Sequence, residues 1–357
     1  MRWLAAAALI ATGASAANTV SDEVFVNVTQ SSDTNPRSGN LGDALNASFE
    51  LSPAWSLNAG ALLTHEGATP SASPGEFPSS ADAVVLLSVG LDYLLDDHWT
   101  FGANLSGSPF ATAVANASFS APNASGNTDH VNARVQSKTS ELTGTLDASY
   151  DTAGVSDLEW SFGAAVTFTH LDTNQAITAA HFASAPNREV TPAELRAACN
   201  RGGPHCIPQV LTALGGVPAN LDSQKFSANA MATISRDTDL RLSADVYHYD
   251  QEPAAVGFFD IANAPYAGVG IPIAPLQFLV RPEITHRIGD LSLRLWVQAG
   301  KYESGTGDNT AGIGARVQYK FTRSFRMWLA VSGQRDTDVD DNATNSAGVA
   351  LGAGYRW

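Results

Sequence analysis

Charged side chains recur inside segments that are otherwise apolar. Glu50, Asp92, Glu141 and Asp147 fall in the first half of the chain. Arg241, Asp245, Arg281, Glu283, Arg294, Arg316, Lys320 and Arg326 fall in the second. Each occupies the polar parity of an apolar–polar alternation. Successive side chains of a strand point to opposite faces, so these charges share one face and apolar residues take the other. If the charged face lines a wet interior, acids gather on one arc and bases on the opposite one. The resulting transverse field selects ions and orients polar solutes. Planar guanidinium groups can also hold a carboxylate or phosphate by two-point contacts. The competing chemistry is internal, with the same charges pairing to fill and stiffen the interior, because buried charges must pair.

Three smaller constellations add little chemistry. Cys199 and Cys206 lie close together, and in an exported chain such a pair reads as a disulfide. His205 is adjacent, but a zinc site needs a fourth ligand that the sequence does not offer. Asp336, Asp338, Asp340 and Asp341 are spaced like a calcium loop, yet Asp341 replaces the turn glycine and Ala347 the closing glutamate. No metal or cofactor is expected. His65, His170 and His248 recur near the ends of three segments on the apolar parity. A lipid hydrolase would need a nucleophile, a base and an orienting group in mutual reach. No local motif supplies all three, so the chain reads as a non-enzyme.

The elements that carry these residues are strands. A membrane-spanning strand has about 9–11 residues, alternating apolar outside and polar inside. Trp55, Leu57, Ala59, Ala61 and Leu63 fit that template, as do Leu158 to Phe168, Leu240 to Val246 and Ile313 to Phe321. From Val24, Val26 and Val28 to Val349–Trp357 the fits number fourteen, an even count as in bacterial barrels. Pro282 falls on the outward parity and leaves the segment around it the least secure in register.

The connections alternate in length. Ser52–Ala54, Leu95–His98, Asp151–Asp157, Ser235–Thr238, Arg287–Asp290 and Thr322–Ser324 are short. Ser31–Asn40, Glu66–Ser80, Ser108–Ser137, Leu171–Ser223, Gln251–Ile273, Glu303–Asn309 and Asp336–Ala347 are longer. Short periplasmic turns and longer external loops give this rule. Within residues 171–223, Thr191 reads as a helix cap with Pro192 in the first turn, and Ile207 to Leu214 as a second short helix. This stapled insert is expected either to fold over the external mouth or to lie as a surface loop. Trp55, Tyr93, Trp99, Tyr150, Trp160, Tyr319, Phe321, Phe325, Tyr355 and Trp357 cluster beside the short turns on the apolar parity, as an interfacial aromatic girdle requires.

Bulk properties agree. Residues 1–16 have a positive start, a short apolar run and a small-residue cleavage pattern, as a signal peptide does. Residues 17–357 then form a single barrel domain. Charged residues make up 15% of the chain, against about 25% in soluble domains. The net charge of −15 argues against nucleic acid as a partner.

The alternation, the connection rule and a last strand ending in an aromatic, Gly348 to Trp357, resemble the Gram-negative outer-membrane β-barrel superfamily. The strand count is similar to that of long-chain fatty-acid channels and of some oligosaccharide and monomeric porins. Fatty-acid channels carry an N-terminal plug of some tens of residues, whereas only Ala17 to about Asp22 precede the first strand here. The resemblance implies an all-β, up-and-down transmembrane barrel in the bacterial outer membrane, surrounded by lipid and lipopolysaccharide. It also implies a C-terminal strand read by the barrel-assembly machinery. The expected function is passive passage of small polar or anionic solutes. The alternatives are a channel for hydrophobic compounds, an outer-membrane lipid hydrolase and a non-transporting surface barrel.

Overall fold

The computed structural model describes residues 19–31, 37–69, 77, 79–123, 125, 127–152, 159–201, 214–250, 276–303, 308–337 and 343–357. The expected signal peptide, Cys206, the second insert helix and three of the four acidic-loop carboxylates (Asp338, Asp340 and Asp341) lie outside these residues.

The strands are β1 (Thr19–Ser31), β2 (Arg37–Ser52), β3 (Trp55–Thr69), β4 (Ser79–Leu94), β5 (Trp99–Pro122), β6 (Thr128–Asp151), β7 (Glu159–Phe182), β8 (Ala185–Val190), β9 (Val217–Ser235), β10 (Thr238–Tyr249), β11 (Leu276–Ile288), β12 (Leu291–Tyr302), β13 (Asn309–Lys320), β14 (Phe325–Thr337) and β15 (Ala343–Arg356). Among the described residues one helix, α1 (Pro192–Arg201), precedes β9. Every strand pairs antiparallel with its ring neighbours, and β1 closes on β15. Among the described strands only β8 stands outside the ring, attached to the end of β7, and the other fourteen form a closed barrel. Within the ring, closure leaves no sheet edge with unpaired backbone groups.

The apolar parity faces outward. Leu146 and Ile313 keep 61% and 63% of their surface exposed, and most large hydrophobics of the ring behave alike. At the short-turn end the outward rings touch one another: Trp55 on Tyr93 at 4.6 Å, Trp99 on Tyr150 at 4.9 Å, and Tyr355 on Trp357 at 5.1 Å. Pro282 stays in β11 on the outward parity. The β11–β12 ladder skips from Val280↔Ala299 to Glu283↔Trp296, because proline has no N–H to donate.

Two expected loops are corrected. Much of Ser108–Ser137 is strand: β5 and β6 continue to Pro122 and from Thr128, with a bulge between Ser108 and Ala111. The segment 171–223 also begins as strand, since β7 runs to Phe182 before β8 and α1. The three long strands project beyond the ring, and their apolar side there is reversed. Within the ring β6 turns Leu142 and Leu146 outward. In the projection Val131, Ala133 and Val135 are buried on the parity of inward Glu141 and Asp147.

That buried face is covered by the insert. Leu195 and Cys199 of α1 pack with Val131, Val135, Ile177, Phe182 and Val190, so α1 lies on the lumen side of the projection. Its start follows the expected cap. Glu194 N–H donates to Thr191 Oγ1 at 3.3 Å, and Thr191 N–H donates back to Glu194 Oε2 at 2.8 Å, a reciprocal capping box. That backbone bond holds the Glu194 carboxyl below its ordinary range.

Candidate functional site

The inward face is where the charged residues predicted from sequence are found. Ring order places β3–β6 across the barrel from β11–β14, so the acidic and basic arcs oppose each other.

The basic arc is tied together by two carboxylates. Glu283 accepts from Arg281 at 3.3 Å and forms an ion pair with Arg294 at 3.4 Å, and its side chain is only 9% exposed. Glu23 accepts from Arg326 at 2.9 Å, lies 4.0 Å from Arg316, and accepts from Trp328 Nε1 at 3.1 Å. Glu23 belongs to β1, Arg326 to β14 and Arg316 to β13. Such contacts across one and two intervening strands require a concave surface, which identifies this face as the interior. Sequence reading missed Glu23, although the parity of Val24, Val26 and Val28 placed it inward.

Aromatic rings lie flat against the same wall, each over a glycine of the next strand. A side chain at Gly42 would overlap the ring of Phe25, one at Gly314 the ring of Trp296, and one at Gly352 the ring of Trp328. A ring covering a strand glycine shields backbone that would otherwise be bare. Arg281 stacks over Trp296 at 4.8 Å and Arg316 over Trp328 at 4.1 Å. Such cation–π contacts contribute about 0.5–2 kcal/mol each. These seats were visible only as polar-parity aromatics opposite glycine, a signal that needs the register to be read.

The acidic arc is built from small polar groups. Asp92 accepts from Asn58 at 2.6 Å and Ser56 at 3.4 Å. Asp147 takes the space left by Gly102 and lies in the field of Asp92. Glu141 accepts from Thr143 at 2.8 Å, beside threonine pairs Thr143–Thr169 and Thr145–Thr167, each 3.1 Å apart. Asp245, on β10 beside the basic arc, accepts from Ser227 at 2.6 Å. Arg241 stands opposite Glu283 in register, Lys320 opposite Arg326, and Glu50 opposite Ser56. Among the described residues Glu50, Arg241, Asp245 and Lys320 make no ion pair.

The histidine reading resolves differently. His170 faces outward just beyond the apolar belt, with Nδ1 2.5 Å from Asp222 and Nε2 3.2 Å from Asp172. Both ring nitrogens are engaged by carboxylates. Asp336 accepts from Tyr302 at 2.6 Å and from Gln334 at 2.9 Å.

No protein-family model matches the sequence, and no curated protein matches it. Solved structures do. A FadL homologue of Pseudomonas aeruginosa is similar over 95% of this chain and 90% of its own, with TM-score 0.59 and 10% identity. A monoaromatic hydrocarbon channel, CymD, covers 95% and 88%, with TM-score 0.56 and 9% identity. The Ralstonia pickettii toluene transporter TbuX covers 95% and 88%, with TM-score 0.53 and 11% identity.

The fold is a closed antiparallel β-barrel, similar to that of these solved structures.

At such identities the likeness is one of fold. In this barrel the ring of fourteen strands, the outward apolar belt and the turn-end aromatics take the places that the superfamily resemblance implied.

Proposed function

We propose that this chain is a passive channel of the bacterial outer membrane whose cargo is small hydrophobic compounds, aromatic ones in particular. The observation that carries the reading is the flat lining: Phe25, Trp296 and Trp328 lie against glycines instead of standing into the interior. Guanidinium planes stacked on the two indoles are weakly hydrated and themselves stack on aromatic faces. The two solved neighbours named for hydrocarbon and toluene passage support the same cargo. The polar-solute reading has no comparable support, since the aromatic lining and the neighbours' printed cargo both favour a compound that carries a ring. In this proposal the outward belt contacts lipid and lipopolysaccharide, the last strand is read by the assembly machinery, and a Cys199–Cys206 bond holds α1 at the mouth.

Toluene uptake into vesicles with a lipopolysaccharide outer leaflet tests the proposal. Expected is faster uptake than in protein-free vesicles, with glycerol uptake little changed. Faster glycerol with toluene at background would return the function to a polar porin.

The membrane assignment makes a separate prediction. Leu351, 51% exposed on the outward parity, should tolerate arginine badly, at a cost of about 2–4 kcal/mol near the midplane. Urea titration of the protein folded in vesicles measures this. Arginine at Ser88, on the inward parity, should cost much less, and an equal cost at the two positions would remove the distinction between lipid and lumen faces.

A further inference from the structure

We infer that the basic arc is a binding site for small aromatic acids, the acid group on the N–H edges of Arg294 and Arg316 and the ring against the guanidinium-capped indoles. This rests on the channel reading and adds to its cargo aromatic compounds that carry an acid group.

Charge balance comes first. Arg281, Arg294, Arg316 and Arg326 share two carboxylates, Glu283 and Glu23, among the described residues. The cluster therefore holds two positive charges more than negative, and on the adjoining β10 the inward Arg241, in register with Glu283, and Asp245 offset each other in charge. The carboxylates Asp92 and Asp147 belong to β4 and β6, on the far side of the ring.

Second, Arg294 and Arg316 are direct cross-strand neighbours on β12 and β13. Like charges directly opposite one another destabilise a sheet, and Arg316 lies in the field of both Arg294 and Arg326. A carboxylate between two such guanidiniums removes the repulsion and gains charge-assisted bonds. Third, the side chains of Arg294 and Arg316 remain 44% and 28% exposed on the inward face. Fourth, Arg281 and Arg316 are held flat by Trp296 and Trp328. A planar ring extends that stack, and an aliphatic chain does not.

The probe is sodium benzoate, with acetate and toluene as comparisons, added to the full chain in detergent. Binding is followed by calorimetry and by tryptophan emission. Saturable benzoate binding, much tighter than acetate, is expected. Arg294→Gln and Arg316→Gln should each weaken it about tenfold or more, as loss of a charge-assisted bond implies. Glu283→Gln should tighten it, because it frees two guanidiniums; a merely structural role would weaken it instead. Heat-modifiable migration on gels confirms that each variant is folded. Benzoate bound no better than acetate, or equally by the arginine variants, overturns the proposal. Toluene uptake is scored in parallel. Its loss alone overturns the channel reading, and loss of benzoate binding alone overturns this one.

Discussion

Deletion of residues 343–357 should abolish the folded barrel altogether. Strand β15 pairs with β14 from Phe325↔Tyr355 to Thr337↔Ala343, and with β1 from Ser21↔Arg356 to Ser31↔Ser346. Without it, two strands present bare N–H and C=O groups, each costing several kcal/mol in hydrocarbon. The remaining strands cannot close in the same way. Strands β1 and β14 are both antiparallel to β15, so they run in the same direction and would have to pair as a parallel couple. Refolding into detergent micelles without cellular factors isolates this effect from assembly in the cell. The expected result is no heat-modifiable band and loss of the β-sheet dichroism. A compact, heat-modifiable product lacking β15 would show that ring closure is not what stabilises the protein.

The next largest effect is expected at the ring seats. In Gly314→Val and Gly352→Val the new side chain occupies the space of the Trp296 and Trp328 rings. Keeping the ring in place would cost about 1–3 kcal/mol of overpacking. Each indole therefore swings off the wall into the lumen and takes its stacked arginine with it. Toluene uptake should fall several-fold while the barrel stays folded. Gly144→Val is the control, because nothing lies within 4 Å of a side chain added there. Unchanged uptake in both seat variants would show that the flat rings do not set the width of the passage.

The outward half of the barrel was legible because solvent alone enforces it. Leu142, Leu146 and Tyr150 on β6, or Ile313, Val317 and Tyr319 on β13, must share a parity if one face meets an apolar surroundings and the other water. The projection was less legible for the same reason. Beyond the belt nothing apolar surrounds the strands, so β6 buries Val131, Ala133 and Val135 on the opposite face, beneath α1. The bulges at Ser108/Ala111 in the β5–β6 register and at Arg134/Val135 in β6–β7 reset the count again. Alternation that changes sign looks like a loop.

The charged interior divides along a similar line. Parity alone placed Arg281, Glu283, Arg294, Arg316 and Arg326 on one face, and the opposed arcs followed from strand order. Their partners did not follow. Glu23 meets Arg326 at a separation of 303 residues, and it does so only because the first and last strands are neighbours in the closed ring. Local alternation determines which way a side chain points, since it depends on a repeat of two residues. Only closure of the sheet decides which side chains meet, because that depends on register summed around every strand.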